Sequence, residues 1–192
     1  MRKNWVVLSI ALLAGMALAS CATMSKVGSE GKILHPKVEL ERVEVASYFP
    51  YDPKVRVPLI LGFIFQMSNP NSFQVGLEAI KFTVGFQAAD KPGEFFNLAT
   101  PMAYEVHHIP GKTTNQLRVV AVIDSLVVPG NLAVTSGSRL ASLGLKTPDL
   151  VKYWYEKIGD FPFAIRVSEG SANFSAGKGE VIVGFEGIFP KK

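Results

Sequence analysis

The segment Val57–Phe86, VPLILGFIFQMSNPNSFQVGLEAIKFTVGF, constrains the fold more than any other part of the chain. Leu59, Leu61, Phe63, Phe65 and Met67 alternate, so they share one face of a strand. Ile60, Gly62 and Ile64 are apolar too, which means that the opposite face is partly covered or that the strand is central in its sheet. Ser68-Asn69-Pro70-Asn71 then breaks the run. Pro70 fixes its own φ, has no N–H and holds Asn69 extended, the Asn69 amide can close an Asx-turn, and Asn71 tolerates positive φ. Phe73, Val75 and Leu77 alternate next, followed by Ile80, Phe82, Val84 and Phe86. The phase slips between the two sets, which predicts a bulge or bend at Glu78-Ala79. The segment reads as a hairpin-like pair of long strands about a tight turn.

The first residues carry a different pattern. Arg2 and Lys3 form a basic region, Trp5 to Ala17 an apolar one too short for a comfortable membrane span, and Leu18-Ala19-Ser20-Cys21 follows. This order resembles a bacterial lipoprotein signal peptide with its lipobox. The resemblance implies cleavage after residue 20 and acylation of Cys21 on its thiol and new amine. More than one acyl chain is needed for stable anchoring, at about 0.8 kcal/mol per buried methylene. Ala22, where inner-membrane lipoproteins of Gram-negative bacteria commonly carry Asp, implies the outer membrane, facing the periplasm, in such a host. The expected partner of this end is therefore the membrane itself, through the acyl chains. Cys21 is the only cysteine, so an acylated chain has no intramolecular disulfide, cysteine metal site or cysteine nucleophile. Without residues 1–20 the chain keeps 18 basic and 16 acidic side chains, scattered and not interleaved with aromatics, which argues against nucleic acid.

Residues 21–36 comprise Cys21 and a small, polar stretch with two glycines, expected to be a flexible tether. Residues 37–192 have the length of one domain. A strand begins at Val38, with a phase slip at Glu41-Arg42, and a proline-punctuated loop with Tyr48, Phe49 and Tyr51 precedes Pro58. Phe95–Leu98, Met102–His108 and Thr114–Ser125 read as further strands, the last with Val120 and Val122 on its second face. A helix is expected near Leu132–Leu143 and a clearer one over Pro148–Ile158, with Thr147 as N-cap, Pro148 at N1 and Gly159 at C′. Leu150, Tyr153, Trp154 and Ile158 lie in one stripe, expected to dock on the sheet, with Tyr153 and Trp154 as a candidate partner surface. Phe161–Val167 and Lys178–Phe189 close the chain as strands, with a turn at Glu169-Gly170-Ser171. Seven or eight strands with short turns predict a mainly β chain, an antiparallel sandwich with a helical insertion before the last two strands.

Val38–Val45, the long strand ending in Ser68-Asn69-Pro70-Asn71, Phe73-Gln-Val-Gly-Leu, and Ile109-Pro-Gly-Lys-Thr-Thr together resemble the WHy domain of the type-2 late embryogenesis abundant proteins, over residues 37–189. The resemblance implies an immunoglobulin-like or fibronectin-III-like sandwich. It also implies an association with water stress and defence responses, with no known reaction. Asn69, Pro70 and Asn71 are then a structural motif, with the Asn69 side chain bonded to loop backbone. The helical segment 126–159 is longer than the family pattern.

Chemistry-bearing motifs are sparse. His107 and His108 are adjacent, so on a strand they face opposite sides and chelate one ion poorly. Asp124-Ser125 has no matching histidine pattern, and neither a Gly-x-Ser-x-Gly elbow nor a phosphate loop is present. The expectation is a chain without catalytic residues, metal or cofactor. It would act as a structural, stress-protective or interaction module with an envelope protein or lipid partner. The alternative is a carrier of a hydrophobic ligand, motivated by 13 Phe residues and strands apolar on both faces.

Overall fold

A computed structural model describes residues 33–47, 49–89, 91–177 and 179–191. Cys21, the signal-like segment, residues 22–32 and Tyr48 lie outside the described residues. In chain order the elements are β1 (Lys37–Ser47), β2 (Pro58–Ser68), β3 (Val75–Gln87), β4 (Phe95–Ala99), β5 (Met102–Ala103), β6 (His107–Ile109), β7 (Thr114–Asp124), α1 (Val127–Ser142), α2 (Thr147–Lys157), a 3-10 turn (Ile158–Asp160), β8 (Ile165–Ala176) and β9 (Gly179–Phe189). The fold is mainly β, with antiparallel sheets and two helices ahead of the last two strands.

One sheet has the order β1-β2-β7 and the other β4-β3-β8-β9, with β5 and β6 also paired to β3. β4, β5 and β6 pair successive parts of β3, so they act together as one interrupted edge strand. The two long strands of the opening segment do not form a hairpin. β2 lies between β1 and β7, whereas β3 lies in the other sheet beside β8. Asn69-Pro70-Asn71 is a crossover between sheets. Both strands are apolar on alternating positions, and each buries its apolar face against the opposite sheet instead of pairing edge to edge.

The sheets meet through interlocked aromatic rings. Phe65 and Phe63 of β2 lie edge-on to Phe82 of β3, with centroids 5.0 and 5.1 Å apart, and Phe65 lies 5.3 Å from Phe185 of β9. Phe63, Phe65 and Phe82 are fully buried, each contributing about 1.5–3 kcal/mol of burial. The expected slips are present: β1 shifts register between Leu40 and Arg42, and β3 shifts against β8 between Leu77 and Ala79.

The second face of β2 explains its hydrophobicity. Ile64 is buried although it points away from the core, and its partners on either side are Arg42 and Arg118. The Arg118 guanidinium lies over Gly62, where a Cβ would come 2.7 Å from its Nε. Arginine stems lie along this apolar strip while their heads stay at the surface. Val120 and Val122 remain exposed.

Three local expectations are corrected. Glu169-Gly170-Ser171 is not a turn: β8 runs through it with a register shift against β9, Glu169 takes φ 53°, and Gly170 lies so close to the Phe185 carbonyl that a Cβ would not fit. The helix expected from Leu132 begins at Val127, because Asp124 Oδ1 accepts the N–H groups of Leu126 and Val127 at 2.9 and 3.3 Å. Thr147 lies inside α2, with extended Lys146 as N-cap, and Gly159 lies in the 3-10 turn, which ends at left-handed Phe161.

Candidate functional site

The described domain has two chemically different ends. At one end the Asn69-Pro70-Asn71 crossover meets the turn between β6 and β7. Asn69 is 2% exposed, and its Nδ2 donates to the carbonyls of Phe73, Ile109 and Pro110 at 2.8, 3.0 and 3.2 Å. Its Oδ1 accepts the Asn71 backbone N–H at 2.9 Å, which closes the Asx-turn, and Asn71 Nδ2 at the same distance. Backbone bonds run from Asn69 N–H to Thr113 O and from Lys112 N–H to Asn71 O, both 2.9 Å, and Lys112 Nζ donates to Pro70 O. A Cβ on Gly111 would lie 2.6 Å from the Ser72 carbonyl carbon, so the two connections touch only because this residue is glycine. Every acceptor in the set faces an N–H, which fixes both amide orientations.

Asn71 extends the network to the start of the domain. Its Oδ1 accepts Leu34 N–H at 2.8 Å and its Nδ2 donates to Leu34 O at 2.9 Å. Residues 33–36, expected in the tether, therefore belong to the compact unit Ile33–Lys192, and Ile33 reaches the β8–β9 turn at Gly179. The described chain therefore begins at the Asn-Pro-Asn end.

At the opposite end α1 and α2 cover the sandwich. Trp154 is fully buried, packs 5.8 Å from Phe86 and 6.4 Å from Phe96, and donates Nε1–H to Gln87 O at 2.7 Å. Tyr155, not Tyr153, is the other buried aromatic of α2. Its hydroxyl donates to Ile123 O at 2.6 Å, and its ring lies 5.7 Å from Tyr51. Burial, and then the nearby charge of Asp124, push the Tyr155 phenol well above the usual tyrosine range. Trp154 is thus a core residue and not part of a partner surface, because the helix turns its indole onto the ends of β3 and β4. Tyr153 is half-buried against Phe163, with ring centroids 5.7 Å apart. Asp124 also pairs with Arg56 at 2.9 Å, and Ser125 Oγ accepts Val57 N–H at 2.9 Å and donates to Val55 O.

A groove of about 590 Å³ opens between β4 and α1, lined among others by Asn97, Thr100, Asn131, Thr135, Arg139 and Arg166. Arg139 donates to Phe95 O at 3.1 Å and forms an ion pair with Glu94, and its guanidinium lies 4.9 Å over Phe96. The Arg166 guanidinium lies 4.7 Å over Phe95. No sequence pattern singles out these two arginines: one comes from a helix and one from a strand 27 positions later, and only the fold brings them to one place. Among the described residues no group of three His, Cys, Asp or Glu side chains could hold a metal ion. His107 is half-buried and His108 exposed on β6, which pairs them with Leu77 and Gly76. No described helix is long and apolar enough to cross a membrane.

No protein-family profile and no curated protein matches the chain. Solved structures similar to it include a protein from Archaeoglobus fulgidus, at 13% identity and a TM-score of 0.38, covering 80% of this chain and 98% of that one. A structural-genomics target is 13% identical at a TM-score of 0.35, covering 80% of each chain. A protein provisionally described as late embryogenesis abundant (LEA), solved in solution, is 9% identical at a TM-score of 0.30, covering 98% of this chain and 87% of that one. Superposition this loose identifies no family.

Proposed function

We propose that this is a lipid-anchored, non-catalytic envelope lipoprotein of WHy type, whose sandwich acts as a structural, stress-protective or interaction module. The observation that carries the reading is the ordered basic, apolar and Leu-Ala-Ser-Cys21 pattern ahead of a domain that the chain enters at its Asn-Pro-Asn end. Acyl chains on Cys21 would hold the protein on the outer membrane facing the periplasm in a Gram-negative host, and on the cell membrane otherwise. The Leu34–Asn71 bonds support this reading in so far as they fix the start of the described domain at its crossover end. The alternative, a carrier of a hydrophobic ligand, is the second reading; the edge-on packing of Phe63, Phe65, Phe82 and Phe185 between the sheets favours the module over it.

The test uses cells lacking the gene, complemented with the full chain or with Cys21→Ser. Wild type should incorporate labelled palmitate, fractionate with membranes and restore survival of hyperosmotic shock or drying. Cys21→Ser should lose the label and the membrane fraction. Equal labelling of both forms would overturn the anchor, and unchanged survival of the deletion strain under every envelope stress would overturn the protective role.

A further inference from the structure

The groove between β4 and α1 has an uncompensated charge. Arg139 has its counter-ion in Glu94. Arg166 has no ion pair among the described residues, and its Nε is enclosed without a hydrogen-bond partner. Its guanidinium crosses β3 to reach Phe95, and the crossing point is Gly85, the register partner of both Arg166 on β8 and Asn97 on β4. A Cβ at Gly85 would lie 3.0 Å from Asn97 Oδ1, so a larger residue would fill the trough through which Arg166 passes. A partly desolvated guanidinium without an acceptor is costly, and an oxyanion is the group that relieves this cost.

The other walls say what should carry the oxyanion. Asn97 and Asn131 have side-chain amides without hydrogen bonds among the described residues, and Thr100 makes only a long contact to Thr83. Thr135 Oγ1 donates to Asn131 O and has a long contact of 3.4 Å to Ser136 Oγ, which leaves a lone pair free to accept from a hydroxyl. The volume lies in the range of about 300–1,000 Å³ typical of small-molecule sites, well beyond a bare ion. We propose that this groove binds a hydroxyl-rich small molecule with one anionic group, a sugar acid or a sugar phosphate, with Arg166 holding the oxyanion and Asn97, Asn131 and Thr135 holding hydroxyls. The pairing of Arg139 with Glu94 leaves one net positive charge in the site, matching a single anionic group.

The experiment titrates the full chain in detergent with glucuronate, glucose 6-phosphate and glucose, and follows the backbone and arginine Nε–H resonances by NMR. One or both anionic sugars should shift Arg166 Nε–H and the amides of Asn97 and Thr135 saturably, the tighter one naming the anion. Glucose should bind at least about tenfold more weakly, as expected for loss of one charged hydrogen-bond partner. Arg166→Met should abolish that preference. Thr135→Val, at an exposed helix position where folding is not at risk, should weaken the anionic sugars about threefold with an unchanged melting temperature. Absence of saturable shifts with both anionic sugars, equal binding of glucose, or an unaltered preference in Arg166→Met would each overturn the site. These readouts do not depend on Cys21.

Discussion

The two ends of the sandwich are closed by opposite kinds of chemistry. At the crossover end two buried asparagines satisfy backbone groups of three separate segments, and few large side chains are involved. At the helical end Trp154, Tyr155, Leu150, Val151 and Ile158 seal the core by apolar burial, each indole or phenol making one hydrogen bond to a strand carbonyl. A crossover between sheets leaves carbonyls pointing in directions no ladder can satisfy, so it needs amides. A sheet end left open by strands of similar length needs volume, so it is covered by a helix pair.

The largest effect should come from the helical end. Trp154→Ala removes the biggest buried side chain and should cost about 3–5 kcal/mol in denaturant melts, whereas Tyr153→Ser should cost less than half of that. Comparable losses would mean that the two neighbours share one role. Asn69→Ala comes next, at about 2–3 kcal/mol, because the carbonyls of Phe73, Ile109 and Pro110 lose a donor, the one to Ile109 in a buried contact. An unchanged melting temperature would break the view of the crossover as a latch. Tyr155→Phe should cost about 0.5–1.5 kcal/mol at neutral pH by removing the hydroxyl's hydrogen bond to Ile123 O, which keeps its strand partner Leu59. The raised folded-state pKa of Tyr155 fixes the sign of its pH dependence. Its contribution is complete below the unfolded tyrosine value of about 10 and is lost as pH rises above it, so Tyr155→Phe should flatten the alkaline limb of the stability profile.

The smallest effect lies on the outer face of β1, β2 and β7, away from both ends. Desolvation works to raise the Glu41 carboxyl, but hydrogen bonds from Gln66 and Gln116 and the charge of Arg42 outweigh it and hold it below its ordinary value. Its contribution is present above the unfolded value of about 4.3 and fades as pH falls through the lower folded one. Glu41→Gln should therefore lower neutral stability slightly, leave stability at low pH unchanged and so flatten the acid limb. A large loss at neutral pH would show that this face carries more of the stability than its exposure suggests.

Strand positions and phase slips were legible because they are local. A side chain every two residues and a change of parity at Leu40–Arg42 or Leu77–Ala79 follow from backbone geometry alone. The partners of the strands were not. The run from Val57 to Phe86 looks like a hairpin in one dimension, and its separation into two sheets depends on which apolar faces meet. The same limit applies to α2. Leu150, Trp154 and Ile158 of its stripe were legible, but that Val151 and Tyr155 are buried while Tyr153 is only half-buried depends on how the helix is rolled on the sheets. Glu169-Gly170-Ser171 has turn composition, yet β9 approaches so closely that the segment stays in the ladder as a bulge.

The sequence by itself determined a β-rich chain of antiparallel strands, a helical insertion, and a turn whose amides serve backbone, because propensity, periodicity and turn chemistry act over a few residues. Only the tertiary structure decided that Leu34 is tied to Asn71, that Trp154 is core, and that Arg166 crosses Gly85 into a groove with Arg139. Those relations join residues 37, 67 and 27 positions or more apart, and the free energy that selects them comes from burying faces that no local pattern pairs.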